Sequence, residues 1–240
     1  MIRTFLVFLF IFIFLVITLP LDLILYIISK FNPKLQISIS RVIIHWAFKF
    51  ILGICGADIT VDGQENIPDS AVLFVGNHQS YLDILTTYVS IKGGVGYVSK
   101  IEMDRFPVFN LWMRGINCLF LDRDNIREGV KTIKKGVEEL KKGYSMFIFP
   151  EGTRNQGETL LEFKAGSTKM AERAGVPIVP VAITGTADIF ENNPHFSVKP
   201  GKVHITFGEP IIISELSKEE RRFLGAHTQK IIEDMLAAQK

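Results

Sequence analysis

Ala71-Val72-Leu73-Phe74-Val75-Gly76-Asn77-His78-Gln79-Ser80-Tyr81-Leu82-Asp83 is the stretch on which the reading of this chain turns. Ala71 to Val75 is an unbroken apolar run between Asp69-Ser70 and Gly76-Asn77, the pattern of a strand buried on both faces. Ser80, with Asp83 three residues on, marks the start of a helix. His78 therefore falls in the strand-to-helix loop. Inside one helix, a separation of five would set the two side chains about 140° apart. Ahead of the cap, the histidine ring is free to fold back onto Asp83. A carboxylate on one ring nitrogen fixes the tautomer and leaves the other nitrogen as a base. The chain has no G-x-S-x-G nucleophile elbow, so on this reading the hydroxyl to be activated belongs to a substrate. The alternative is that Asp83 only caps the helix and His78 only bonds a loop carbonyl.

Outward from this stretch, apolar strands alternate with amphipathic helices. Strands are expected at Ile59 to Val61, Ala71 to Val75, Val95 to Val98, Cys118 to Leu121, Met146 to Phe149, Ile178 to Ile183 and Val203 to Phe207. The expected fold is α/β, with a mixed, largely parallel sheet flanked by helices. Asn125 and Glu128 form a capping box for a helix over Ile126 to Lys142, stopped by Gly143, with Ile126, Val130, Ile133, Val137 and Leu140 as its buried face. A last helix, from about Lys218 to Ala238, opens on Ser217-x-x-Glu220 and buries Phe223, Leu224, Ile231, Ile232, Met235 and Leu236.

The N-terminal part is different. Nearly everything from Met1 to Ile28 is apolar, and Thr4 to Leu21 carries no charge, which meets the length of a membrane-spanning helix. No small-residue cleavage site follows, so the segment reads as retained. Gln36 to Ile54 is a second helix, with a narrow polar stripe of Ser38, Arg41, His45 and Lys49 and an apolar remainder. The stripe is expected to face membrane phosphates and the apolar arc to lie in acyl chains or on the first helix. The alternative is a core helix of the soluble domain. Residues 1–54 are thus expected to form a membrane-associated two-helix segment and residues 55–240 the α/β domain. Lys30, Lys34, Arg41 and Lys49 follow the first helix, against Arg3 before it, which puts the domain on the cytoplasmic face if that helix spans.

Composition bounds the partners. Among the 240 residues, 27 Lys and Arg stand against 25 Asp and Glu, a net charge of +2 that gives no field suited to nucleic acid. Cys55 and Cys118 sit in apolar surroundings without metal-ligand spacing, as small hydrophobes of a reduced compartment. No metal and no resident cofactor are expected.

Other strand ends carry the remaining chemistry, where open α/β sheets gather ligands. Cys118 to Leu121 runs into Asp122-Arg123, and Met146 to Phe149 into Pro150-Glu151-Gly152-Thr153-Arg154. Gly152 allows a tight turn, while Thr153 and Arg154 offer a hydroxyl and a planar guanidinium fork suited to a phosphate monoester. Lys164 adds a cation just before a helix expected over Ser167 to Ala174, whose N-terminus favours an anion.

Four segments, Asn77 to Asp83, Gly115 to Arg123, Phe149 to Arg154 and Val176 to Val181, together resemble the four blocks of the glycerolipid acyltransferases in order and spacing. The resemblance covers roughly residues 58 to 210, and its first and third blocks are highly specific. Ser99-Lys100-Ile101-Glu102 is similar to a family segment whose lysine lies near the acceptor phosphate. Asn155 departs from the pattern, since many members carry serine there. What the resemblance implies is transfer of a fatty acyl group from a thioester of acyl carrier protein or coenzyme A to the free hydroxyl of a lysophospholipid, with lysophosphatidic acid as acceptor and membrane lipids as surroundings. His78 would be the general base and Asp83 its orienting partner, without a covalent acyl-enzyme. Arg123, Arg154 and Lys100 would hold the phosphate; Asn77, Glu151, Gly152, Thr153 and Lys164 complete the implied substrate site. Two rivals remain at this point. An esterase or thioesterase would turn the same pair on water, and a noncatalytic lipid-binding module would not require His78 and Asp83 together.

Overall fold

The computed structural model describes residues 1–155, 157, 159–164 and 166–239. A seven-stranded sheet is built from β1 (Ala57–Asp62), β2 (Leu73–Gly76), β3 (Gly96–Lys100), β4 (Leu119–Leu121), β5 (Met146–Ile148), β6 (Ile178–Thr184) and β7 (Gly201–Phe207), in the order β1-β7-β6-β2-β5-β3-β4. Neighbours run parallel except β6 and β7. Every strand expected from the apolar runs is present. Because β2, β3, β4, β5 and β6 share one direction, their carboxyl ends, and the turns after them, meet along one edge.

Strand periodicity then sorts the core. Phe74, Phe147, Val181 and Ile205 belong to one buried cluster, and Leu73, Val75, Met146, Ile148 and Ile178 to another. Two buried faces need helices on both sides. The second face carries α6 (Ile126–Lys141), α7 (Lys169–Ala174) and α10 (Leu224–Ala238), with α9 (Lys218–Arg222) ahead of it on a complete Ser217–Glu220 capping box. The first carries α4 (Leu82–Ser90) and α5 (Phe109–Gly115), and over them lie α1 (Ile2–Ile17), α2 (Leu19–Phe31) and α3 (Pro33–Cys55). Short α8 (Thr186–Ile189) follows β6.

Three expectations about helix faces change. The buried side of α6 is not led by Ile126 and Val130, which are 82% and 44% exposed. Leu140 is buried as expected and Ile133 and Val137 pack against the core, but Gly129 and Gly136 join them on that side. A Cβ on Gly129 would stand 3.1 Å from the Asp122 carbonyl oxygen and one on Gly136 would stand 2.2 Å from Met170 Sδ, so the helix seats too closely for larger residues there. At the last helix the break at Phe223 leaves that ring 53% exposed, while Leu224 and Ile232 are buried as expected.

The third change concerns the polar stripe of α3, whose upper part faces the domain rather than membrane phosphates. Arg41 Nη1 donates to the Gly93 carbonyl at 2.6 Å and its guanidinium lies 5.3 Å from the Tyr144 ring centroid. His45 sits 6.5 Å from the Tyr88 ring. The loop carbonyl of Gly93 needs a donor, and α3 supplies it from its polar side. Outward go Val42, Trp46 and Phe50, at 68%, 57% and 47% exposure.

The apolar N-terminal run is two helices, not one. Pro20 lacks an N–H and its ring opposes the carbonyl four residues back, and α1 and α2 meet there at 53°. By length and composition α3 can cross a membrane, and α1 with α2 passes the same measure as a bent pair. Phe10 holds the layer together, its ring 5.9 Å from Trp46 and 4.6 Å from Phe50. Polar ties fix it to the domain: Trp112 Nε1 donates to Thr18 Oγ1 at 3.0 Å, and the Val198 N–H donates to Thr4 Oγ1 at 2.9 Å. The apolar core runs without a break from α3 into the sheet, although residue 55 does close the helix before β1.

Candidate active site

A cavity of about 650 Å³ opens between α1, α3 and the carboxyl edge of the sheet. Ile11, Phe14, Ile44, Phe48 and Ile51 line its helical side; His78, Lys100, Arg123, Gly152, Thr153 and Arg154 line the sheet side.

His78 and Asp83 meet as the spacing suggested. The loop turns because the buried Ser80 hydroxyl accepts the Leu82 N–H at 3.0 Å, while Asp83 Oδ2 reaches back to the N–H groups of Gln79 and Ser80 at 2.7 and 2.8 Å. The same oxygen lies 2.8 Å from His78 Nδ1. A carboxylate oxygen already accepting two backbone N–H groups leaves the shared proton on Nδ1, so Nε2 is the basic nitrogen. Asp83 is fully buried, and its other oxygen accepts the Thr186 hydroxyl. The imidazole stacks on Phe149, with centroids 4.1 Å apart and planes at 17°.

The loop after β5 grips the backbone of His78 from both sides. Glu151 Oε1 accepts the His78 N–H at 2.9 Å, and the Asn155 N–H donates to the His78 carbonyl at 2.7 Å. Asn155, the departure from the usual serine, uses its whole carboxamide. Its Nδ2 donates to Glu151 and to the Thr159 carbonyl, and its Oδ1 accepts the Gly157 N–H. A serine hydroxyl has one proton and cannot replace both donors.

Not every residue singled out from the sequence faces the cavity. Asn77 is fully buried and spends its amide on Ile183, donating to that carbonyl and accepting that N–H at 2.8 Å each. It extends the β2–β6 ladder past the end of the β2 backbone, which makes it a strut rather than a substrate contact. Glu151 is 3% exposed, with both oxygens engaged by His78, Asn155 and Leu161. Lys164 is exposed and lies outside the cavity lining; the helix it precedes starts only at Lys169 and has six residues.

The cations arrive by register. Lys100 pairs with Leu121 across β3 and β4, so Lys100 and, two residues past Leu121, Arg123 leave the sheet at the same edge. Arg123 lies along the Gly152 backbone and donates to its carbonyl. Gly152 has φ of 78°, and a Cβ there would stand 2.9 Å from Arg123 Nη1, so both the turn and the guanidinium's seat require glycine. Burial lowers the proton affinity of Arg123, and Glu102 opposes that fall, so it remains a cation. Arg154 lies 3.7 Å over the Tyr81 ring and pairs with Glu191 at 3.3 Å. Cys118, also on the cavity wall, is pushed by burial up to about 12 and presents no thiolate. Among the described residues no cluster of three or more His, Cys, Asp or Glu could hold a metal ion.

Thr186 and Glu191 were missed in the sequence. Thr186 had a usable signal, since it follows strand β6 at the same edge. Glu191 had none, because its partners lie 110 and 37 positions away.

The sequence model of the family described as Acyltransferase matches residues 58–184. A 1-acyl-sn-glycerol-3-phosphate acyltransferase of Borreliella burgdorferi is 32% identical over 187 residues, 78% of this chain and 74% of the relative. The chloroplastic enzyme of that name from Arabidopsis thaliana is 35% identical over 155 residues, 64% of this chain but only 43% of the relative's length. The crystal structure of the 1-acyl-sn-glycerophosphate acyltransferase from Thermotoga maritima superposes with a TM-score of 0.72 at 28% identity, covering 93% of this chain and 96% of that one. The family match spans the whole carboxyl edge that carries His78, Asp83, Arg123 and Arg154, and this chain belongs to the acyltransferase family.

Proposed function

We propose that the protein transfers a fatty acyl group from a thioester to the free sn-2 hydroxyl of 1-acyl-sn-glycerol 3-phosphate, giving phosphatidic acid at a membrane surface. The observation that carries this reading is the place of His78. Its Nδ1 is tied to Asp83, and its ring stands where an apolar cavity meets Arg123, Thr153 and Arg154. Nε2 takes the proton of the acceptor hydroxyl as that oxygen bonds to the thioester carbonyl carbon. The tetrahedral intermediate collapses, the carbon–sulfur bond breaks, and the proton passes from His78 to the leaving thiolate. Asp83, held by two N–H groups and Thr186, keeps the ring oriented and stabilises the imidazolium in between. Arg123 and Arg154, with Lys100 beside them, hold the acceptor phosphate through charge-assisted hydrogen bonds. The apolar wall takes acyl chain, at about 0.8 kcal/mol per methylene removed from water.

The membrane part of the reading rests on exposed apolar surface. Phe5, Phe12, Leu23, Phe31 and Val42 are each more than 60% exposed on α1, α2 and α3, far beyond what an isolated surface residue would explain. These helices lie in the cytoplasmic leaflet and bring the cavity to its lipid substrate.

A donor-by-acceptor matrix on the full chain in detergent tests the proposal, with acyl carrier protein and coenzyme A thioesters against lysophosphatidate, glycerol 3-phosphate and neutral lysolipids. Lysophosphatidate is expected to be the best acceptor, and the donor axis assigns the carrier. Equal rates with neutral and phosphorylated acceptors would contradict the phosphate assignment.

A further inference from the structure

Short α8 touches both halves of the site. It begins after Gly185, whose φ is 83° and where a Cβ would stand 2.0 Å from the Lys202 carbonyl oxygen, so the chain turns sharply off β6. Thr186, its first residue, reaches Asp83; Glu191, just past its end, reaches the other half. Glu191 Oε1 accepts the Tyr81 N–H at 2.9 Å and pairs with Arg154 Nη1 at 3.3 Å. Its side chain is 2% exposed, and Oε2 is buried with no hydrogen-bond partner among the described residues. Arg154, 34% exposed, is sandwiched between this carboxylate and the Tyr81 ring at 3.7 Å.

We propose that Glu191 is a positioning residue for acceptor specificity: one buried carboxylate ties the turn that carries His78 to the guanidinium that meets the phosphate. The proposal deepens the functional reading above and rests on it for its kinetic consequences. The physics has two parts. A buried carboxylate needs a compensating charge, and the only cation paired with it among the described residues is Arg154. In return, an arginine held against an anion and stacked on an aromatic ring keeps one direction, with nitrogens left over for a phosphate. Removing Arg154 therefore does two things at once. It deletes a phosphate ligand, and it leaves Glu191 as a buried anion without its cation.

The test is a cycle of Glu191→Gln, Arg154→Ala and the double variant in the full-length protein. Glutamine keeps an oxygen for the Tyr81 N–H and loses only the charge. Glu191→Gln is expected to raise the KM for lysophosphatidate about five- to tenfold, with kcat within about twofold and the KM for the acyl donor unchanged. A merely structural role would move all three. In the Arg154→Ala background the same change should add nothing to the KM and should restore part of the thermal midpoint lost by Arg154→Ala. The proposal is overturned if the KM effects multiply, if the KM for both substrates rises together, or if the lysophosphatidate KM falls, which would make Glu191 a competitor of phosphate. It is equally overturned if the double variant is no more heat-stable than Arg154→Ala. That thermal arm needs no turnover, so it decides on the Glu191–Arg154 pair even if wild-type protein proves inactive on lysophosphatidate and the functional reading fails.

Discussion

The sheet wall and the helical wall of the cavity hold their shapes by different means. On the sheet side, Asp83 receives four donors, His78 is held at its ring and at both backbone groups, and Asn77 closes a ladder with its side chain. On the helical side, Phe10, Ile44, Phe48 and Ile51 are set by apolar packing, the polar ties of Thr4, Thr18 and Arg41 lie outside the wall itself, and the outward face is exposed. Directional bonds fix atoms to fractions of an ångström and tolerate few substitutions; apolar packing fixes volume and tolerates many. Under the proposed function, reaction geometry belongs to the first wall, and chain accommodation and membrane contact to the second.

The largest effect is expected from the first wall. His78→Ala and Asp83→Asn should each lower acyl transfer by about 10² to 10⁴, measured as initial rate, with the fold intact by circular dichroism. Because the two act as a unit, the double variant should be little worse than His78→Ala; multiplicative losses would break the pairing. The helical wall should answer differently. Replacing Val42, Trp46 and Phe50 by serine is expected to weaken partition onto vesicles by about a hundredfold, taking about 1 kcal/mol for each partly exposed side chain. Activity on a short-chain micellar acceptor should stay near wild type. A matching loss on both substrates would mean that this face holds the fold instead.

Smaller effects sharpen the division within the sheet wall. Arg123→Ala and Arg154→Ala should reduce use of lysophosphatidate by about ten- to 150-fold, the range of a charge-assisted contact of about 1.5 to 3 kcal/mol, and spare a neutral acceptor. Thr186→Val removes one donor from Asp83 while keeping the side chain's shape. A loss of about tenfold in kcat is expected, equivalent to about 1.4 kcal/mol on the barrier, with the KM for either substrate unchanged. A wild-type kcat would show that Asp83 is held well enough by Gln79 and Ser80.

How much of this could be read beforehand follows from the same division. The seven strands were legible because each is a short apolar run between turn residues, and the parallel edge then brought His78, Lys100, Arg123 and Arg154 to one place. The His78–Asp83 contact was legible because it is local. Glu191 was not, since its partners lie far off in sequence and it stands in no pattern of its own, while Thr186 offered only its place just past β6. Helix faces were legible only up to a rotation. Periodicity found the polar stripe of α3 but could not say that the Gly93 carbonyl would claim Arg41. On α6 the apolar period pointed at Ile126 and Val130, while close seating selected Gly129 and Gly136.

The most direct test of the dyad as base for a lipid hydroxyl follows the fate of a labelled acyl group. Purified full-length protein is given labelled acyl thioester with and without lysophosphatidate, and phosphatidic acid and free fatty acid are resolved over time. The predicted result is label in phosphatidic acid when acceptor is present, far slower release of fatty acid when it is absent, and neither product from His78→Ala. Fatty acid released without acceptor as fast as phosphatidic acid forms with it would contradict the account and make water the true partner of His78.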